Sequence, residues 1–417
     1  MAQFLVEGGA RLSGTILVHG SKNAALPILA ATLLVEAPVV LKNCPRLRDV
    51  ENMIRILTEL GCKAHWEGAA LVVDSRSANR YTLSESLSKE LRSSIFLLGS
   101  VLGRFKRAVA TYPGGCEIGN RPIDLHLKGL RRLGARIDED GGYICCEGDV
   151  FLGTTVPLDY PSVGATENIM LLACMAKGET VIHNAAREPE IVDLQDFLCA
   201  CGFEVRGAGS SEIVITGGRA KQGCTYSIMP DRIVAGTYLT AAAITGGELE
   251  LVGARPEHMV AVLEKLQDSG AYIRMDGMRM IIKSPKRPSE LQRLETLPYP
   301  GFPTDMQPQF FALCSVAGGI SILVENVFEN RFRHAQELIK MGGRNTLRGT
   351  MAIVRGVDRL HGAAVTAHDL RGGAALVLAA LAAEGTTSIA CAERIDRGYL
   401  HLETALQSLG AKVFRKD

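Results

Sequence analysis

One cysteine, Cys116, stands in the segment Tyr112-Pro113-Gly114-Gly115-Cys116-Glu117-Ile118-Gly119-Asn120-Arg121, among three glycines and a proline. Glycine and proline at that density oppose both helix and strand, so the segment reads as an irregular loop. A thiol on such a loop, close to a guanidinium, has the ingredients of a tuned proton donor or nucleophile. The other chemistry-bearing residues are cations and carboxylates at the openings of apolar runs. Lys22-Asn23 follows Gly20-Ser21, where a lysine shares the positive end of a helix dipole. Either it is solvated at the surface, or an anion occupies the junction. Asp305, in Pro303-Thr304-Asp305-Met306-Gln307, is either an N-cap or a carboxylate that accepts a proton from a substrate hydroxyl. Asp231 holds the equivalent place in an earlier run and reads first as a cap. Arg331, Arg371 and Arg397 lie beside or close to glycine or asparagine, and Arg92 and Arg121 complete a set of five guanidiniums with Lys22. Such forks suit phosphates and carboxylates, so a ligand carrying both is expected.

These residues recur because the chain repeats. Leu60-Gly61, Leu133-Gly134, Cys201-Gly202, Ser269-Gly270, Met341-Gly342 and Leu409-Gly410 each follow a helical run and precede a strand, at spacings of 73, 68, 68, 72 and 68. Self-similarity at a fixed period indicates repeated supersecondary units. About forty residues before each glycine, a run rich in small residues begins, at Lys22, Arg92, Val163, Asp231, Thr304-Asp305 and Asp369. An alternating strand, an amphipathic helix and a strand pair follow, as in Lys63-Ala64-His65-Trp66 and Ala70 to Asp74. The expected class is α/β, with six β-α-β-α-β-β units in two lobes, apolar helices inside and half-exposed sheets outside. Residues 22–229 form the expected first lobe, with the Cys116 loop. Residues 230–417 form the second, its sheet completed by a strand from residues 1–21. If the helix openings converge, their unpaired N–H groups make a site for a multiply charged anion.

Composition narrows the partners. The 417 residues carry a net charge of +1, 47% apolar and 22% charged residues. Near-neutrality without a basic run argues against nucleic acid. Ala374 to Ala383 is too short to span a bilayer, so no membrane insertion is expected. Eleven cysteines without paired CxxC spacing, and no secretory signal, read as reduced thiols in a cytoplasmic protein. No P-loop or GxGxxG follows a strand and no histidine cluster suits a metal, so no cofactor is expected.

In its longer blocks the sequence resembles the UDP-N-acetylglucosamine 1-carboxyvinyltransferases, an enolpyruvyl transferase family. The blocks are Gly20 to Pro27, Pro113 to Cys116 with Arg121 to Leu125, Ser162 to Thr166, Ala185 to Asp193, Pro230 to Arg232, Phe302 to Gln307, Val327 to Phe332, Asp369 to Arg371 and Asp396 to Tyr399. The resemblance implies an inside-out barrel in each lobe and transfer of enolpyruvyl from phosphoenolpyruvate to the 3′-hydroxyl of UDP-N-acetylglucosamine, releasing phosphate. It assigns Cys116 as proton donor and fosfomycin target, and Asp305 to proton removal. Lys22, Arg121 and Arg397 match phosphate-facing cations, and Arg331 and Arg371 carboxylate-facing ones. Asn23, Arg92, Arg121, Pro122, Ile123, Asp124, Leu125, Ser162, Val163, Gly164, Asp305 and Val327 match substrate contacts. Two positions depart from the family pattern: Arg394, where many members carry histidine, and Tyr160, where some carry lysine. The alternatives are a relative acting on shikimate 3-phosphate, from which the Cys116 loop departs, and an inactive binding paralogue, which would not need the proton donor.

Overall fold

In the computed structural model, residues 2–112, 118–119, 122–218, 220 and 222–416 are described, without the side chains of Lys89, Glu90, Arg92 and Ser93. The chain divides into two compact units. One holds the described residues of 20–112 and 122–229; the other holds 2–19, 118–119 and 230–416.

Each unit is built on three central helices. In the first they are Lys22–Thr32, Leu97–Phe105 and Val163–Ala173; in the second, Arg232–Thr245, Gln307–Val316 and Leu370–Ala382. Alanine, glycine and leucine dominate them, and nearly every residue is buried, as in Gln307–Val316, which is buried throughout. A helix apolar on all sides must lie in a core, and each fully buried Leu, Ile or Phe contributes about 1.5–3 kcal/mol. The second helix of each repeat is different. Arg48–Glu59 and Asp124–Arg132 bury one face and leave charged residues on the other.

The six repeat glycines all take positive φ, from 88° at Gly342 to 103° at Gly134. Each terminates an outer helix in a backbone region that a side chain would strain, so the spacing seen in the sequence is a spacing of helix ends.

Sheets flank the helices, and five of the six main ones have four strands in one pattern. A central strand pairs in parallel with an edge strand and antiparallel with one arm of a hairpin. In one example, Ile320–Val324 pairs with Arg293–Glu295 and Met351–Arg355, and Arg344–Arg348 closes the hairpin. The sixth sheet, Arg107–Thr111, Tyr143–Glu147 and Arg136–Asp140, has three strands, and a single parallel bridge from Thr82 to Val109 stands at the fourth place. Strand burial alternates, as in Glu248–Val252, so each sheet keeps one wetter face. The sheets stay separate; no continuous barrel closes among the described residues.

The N-terminal segment departs from the single strand expected. It forms two strands in two different sheets. Gln3–Glu7 lies antiparallel between Thr386–Ala390 and Lys412–Lys416, and Ser13–Leu17 runs parallel to Glu248–Val252. In the sixth repeat Lys412–Lys416 serves as one arm of the strand pair and Gln3–Glu7 as the other. In the first unit, Thr225–Ser227 runs parallel to Val39–Lys42, as Ser13–Leu17 does to Glu248–Val252.

Candidate active site

Three aspartates open or precede the central helices of the second unit, and identical residue types at equivalent places do different work. Asp231 Oδ1 accepts from the backbone N–H groups of Ile233 and Val234 at 2.8 and 3.0 Å, an N-cap as expected. Asp369 Oδ1 accepts likewise from Arg371 and Gly372, both at 3.0 Å. Asp305 lies inside the 3-10 turn Thr304–Met306, and Pro303 before it makes no side-chain cap. Its carboxylate receives Arg331 Nη2 at 2.7 Å on Oδ1, and Arg371 Nη2 and Nε at 3.1 and 3.3 Å on Oδ2. The capping reading of Asp305 is therefore overturned: two guanidiniums claim it.

Both arginines are only 2% exposed. Arg331 has further partners. Its Nε and Nη2 donate to Thr304 O at 3.2 and 3.1 Å, and its Nη1 lies 3.8 Å from Asp369 Oδ1. Arg371 is held less completely, because its buried Nη1 has no hydrogen-bond partner among the described residues. Burial opposes the charge of Arg371, but Tyr399, Asp305 and Asp231 together hold its pKa above the ordinary range, so it is a permanent cation. The Tyr399 ring lies 5.4 Å from that guanidinium, and its hydroxyl meets Thr237 Oγ1 at 2.9 Å and Gln309 Nε2 at 3.3 Å. His334 completes the wall, edge-on to Phe311. Burial depresses its pKa to about 4, with Asp369 opposing and Arg331 assisting, so the ring is neutral at pH 7.

Glu325, which the sequence did not single out, organises the neighbouring turns. Its Oε1 accepts from Thr296 Oγ1 and from the N–H groups of Val327 and Phe328, and its Oε2 accepts from Thr304 Oγ1. One buried carboxylate thus ties the residue before Asp305 to Val327. Arg397 is half-buried in the turn before Leu402–Ser408. Its neighbour Asp396 is gripped by Arg415 at 2.9 and 2.8 Å, and Gly398 packs so closely on Leu370 that an added Cβ would lie 2.7 Å away. That contact sets the Arg397 turn against the start of Leu370–Ala382. Arg394 donates to His368 O in the same region.

In the first unit, Ser21 caps Lys22–Thr32 and Lys22 is 9% exposed. Lys22 is not a solvated surface cation: Asp49 Oδ2, buried in the first turn of Arg48–Glu59, lies 3.2 Å from its Nζ. The sequence reading did not pair them, since they stand 27 positions apart with the strand Val39–Lys42 between them. Asn23, Ser162, Val163 and Gly164 are half-buried at helix openings. Pro122 and Asp124 are exposed, with Ile123 and Leu125 half-buried. These two segments meet at Gly164, where an added Cβ would lie 2.9 Å from both the His126 and Phe96 rings. His126 in turn contacts Asn168 at 3.2 Å. Arg92 opens the 3-10 turn Arg92–Phe96. Cys116, Arg121 and the side chain of Arg92 lie outside the described residues. Among the described residues, no group of three His, Cys, Asp or Glu could hold a metal, and no helix is long and apolar enough to cross a membrane.

The chain is similar to known proteins along its length. Residues 6–406 match the EPSP synthase (3-phosphoshikimate 1-carboxyvinyltransferase) family. UDP-N-acetylglucosamine 1-carboxyvinyltransferase 2 of Caldanaerobacter subterraneus subsp. tengcongensis is 52% identical over 415 residues, covering 100% of both chains. The chain belongs to the UDP-N-acetylglucosamine 1-carboxyvinyltransferase family. A second member, UDP-N-acetylglucosamine 1-carboxyvinyltransferase 1 of Carboxydothermus hydrogenoformans, is 48% identical over 100% of this chain and 98% of its own. The fold is also that of the enolpyruvyl transferase NikO from Streptomyces tendae, with a TM-score of 0.90 at 24% identity over 100% and 99% of the two chains. Within the UDP-N-acetylglucosamine 1-carboxyvinyltransferase family, the two departures sit at half-buried Arg394 and at Tyr160, which is 44% exposed.

Proposed function

We propose that this chain transfers the enolpyruvyl group of phosphoenolpyruvate to the 3′-hydroxyl of UDP-N-acetylglucosamine, releasing phosphate and opening peptidoglycan precursor synthesis. The observation that carries the reading is the Asp305 carboxylate held between two buried guanidiniums, in a chain 52% identical throughout to a named carboxyvinyltransferase. In this reading Arg331 and Arg371 bind the carboxylate of phosphoenolpyruvate, while Lys22, Arg121 and Arg397 neutralise its phosphate. Arg371 Nη1 is the donor that the protein leaves for that incoming anion.

The chemistry is addition followed by elimination. The Cys116 thiol protonates the methylene carbon, and C2 becomes electrophilic. The 3′-hydroxyl attacks C2 and passes its proton to Asp305. The tetrahedral ketal then returns a proton from its new methyl group to the Cys116 thiolate and expels phosphate, which restores the double bond on the transferred group. Asp305 cannot act at full strength while two guanidiniums occupy its oxygens. A substrate carboxylate that draws Arg371 and Arg331 toward itself frees Asp305 to take the proton when the hydroxyl is in place. Arg92, Pro122 to Leu125, Ser162 to Gly164, Asn23 and Val327 hold the nucleotide sugar. Full-length identity to a named UDP-N-acetylglucosamine enzyme favours this acceptor over shikimate 3-phosphate. Action in a reducing cytoplasm belongs to the same reading, in keeping with free thiols at all ten described cysteines.

The test is phosphate release from phosphoenolpyruvate. Release that requires UDP-N-acetylglucosamine, and not shikimate 3-phosphate, is expected. The reverse dependence selects the runner-up acceptor, and no release with either marks an inactive paralogue.

A further inference from the structure

The ten described cysteines are all free thiols, and their sequence neighbours are not their spatial ones. Cys145 and Cys146 are adjacent on the strand Tyr143–Glu147, where successive side chains take opposite faces; one is exposed and the other buried. Cys199 and Cys201 end the helix Pro189–Ala200 two residues apart, and Cys199 donates to Val205 O instead. Cys201 meets Cys224, 23 residues further on, with the two sulfurs 3.4 Å apart.

The backbone holds this pair together from both sides. Cys201 N donates to Phe197 O at the helix end, and Cys201 O accepts from Gln222 N. The Gln222 side chain reaches back to Ala200 O. Gly223 is pressed on Pro38, where an added Cβ would lie 2.0 Å from the carbonyl oxygen, and Cys224 O accepts from Val40 N. Little freedom is left to lose on joining the sulfurs. The partners also differ in character. Cys201 is buried and Cys224 is half-buried, within reach of a small solute. The contact with Cys201 lowers the pKa of Cys224 against the opposing effect of burial, and raises that of Cys201. The outer thiol is therefore the better nucleophile and the inner one the resolving thiol.

We propose that Cys201 and Cys224 form an oxidisable dithiol site in the first unit, converted by hydrogen peroxide into a disulfide clamp. The Cys224 thiolate attacks one peroxide oxygen and, with one proton taken up, releases water and leaves a sulfenic acid. Cys201 then attacks that sulfur, an S–S bond forms, and the hydroxyl leaves as a second water. Two thiols lose two electrons and two protons, and peroxide gains both. The new bond closes a loop around the hairpin Glu204–Arg206 and Glu212–Thr216, restricting the unfolded chain more than the folded one. A dithiol reductant reverses it.

The experiment treats the full-length protein with hydrogen peroxide, blocks remaining thiols, and maps peptides by mass without reduction. The expected result is a peptide pair joined through Cys201 and Cys224. It is accompanied by a rise in melting temperature of roughly 5 °C that dithiothreitol abolishes. Both Cys201→Ser and Cys224→Ser remove the rise, whatever their own stability, because each variant is compared with itself before and after oxidation. Oxidation of Cys224 to higher acids without linkage, or linkage to any other cysteine, overturns the proposal. Linkage without a melting shift overturns the clamp. Peptide mapping is independent of activity, so oxidation of Cys116 does not confuse the outcome.

Discussion

Replacing Asp305 by asparagine tests whether the Asp305–Arg331–Arg371 cluster is a substrate site or only a structural ion pair. The change keeps the shape and one acceptor oxygen but removes the charge that two guanidiniums share at 2.7 and 3.1 Å. With charge centres about 4 Å apart and an effective dielectric near 20, each pair represents about 4 kcal/mol of attraction before desolvation. Removing one partner of a buried pair costs about 3–5 kcal/mol net, because the remaining charge is stranded. Two arginines at 2% exposure are then short of an anion. Asp305→Asn should lose about 3–5 kcal/mol of stability, and phosphoenolpyruvate should restore part of it. The substrate carboxylate no longer competes with Asp305, so binding should tighten at least about tenfold, or about 1.4 kcal/mol. Turnover should fall by about two to four powers of ten with loss of the proton acceptor. Calorimetric titration of phosphoenolpyruvate in the presence of UDP-N-acetylglucosamine, melting curves with and without it, and phosphate release measure the three quantities. Binding that weakens or stays unchanged refutes the competition, and surviving turnover removes Asp305 from the chemistry.

Three further outcomes follow from the same residues. Cys116→Ser should lose most turnover at neutral pH, since a hydroxyl is a far weaker acid than a thiol, and mass spectrometry should show that it no longer takes up fosfomycin; undiminished phosphate release contradicts the proton-donor role. Arg397→Ala should weaken phosphoenolpyruvate binding by about 2–4 kcal/mol if it faces the phosphate, and an unchanged titration removes it from the site. His334, with its pKa lowered to about 4 from 6.5, should make stability pH-dependent. Between those values the unfolded chain binds the proton and the folded one does not, so stability rises with pH across that window and is insensitive to this group above it. The total is about 3 kcal/mol, and His334→Phe should flatten the melting profile between pH 4 and 6.5; an unaltered slope assigns the dependence elsewhere.

The repeat, the ends of the outer helices and the buried character of the inner ones are legible in the sequence alone, because each is local. A glycine at positive φ answers to its own backbone, as at Gly61 and Gly410, and an all-apolar run such as Ala374 to Ala382 has nowhere to lie but a core. The capping of Asp231 was local in the same sense, its partners being two and three residues away. Only the tertiary structure decided that Asp305, at an equivalent place, serves two arginines from distant segments, that Lys22 meets Asp49, and that Gln3–Glu7 and Ser13–Leu17 enter different sheets. It also decided that Cys201 pairs with Cys224 and not with Cys199. In every such case the partner lies far along the chain, and contact energy depends on distance in space, which residue type and spacing do not encode. Local rules offered Asp305 a cap, and the burial of two guanidiniums made ion pairing the stronger demand.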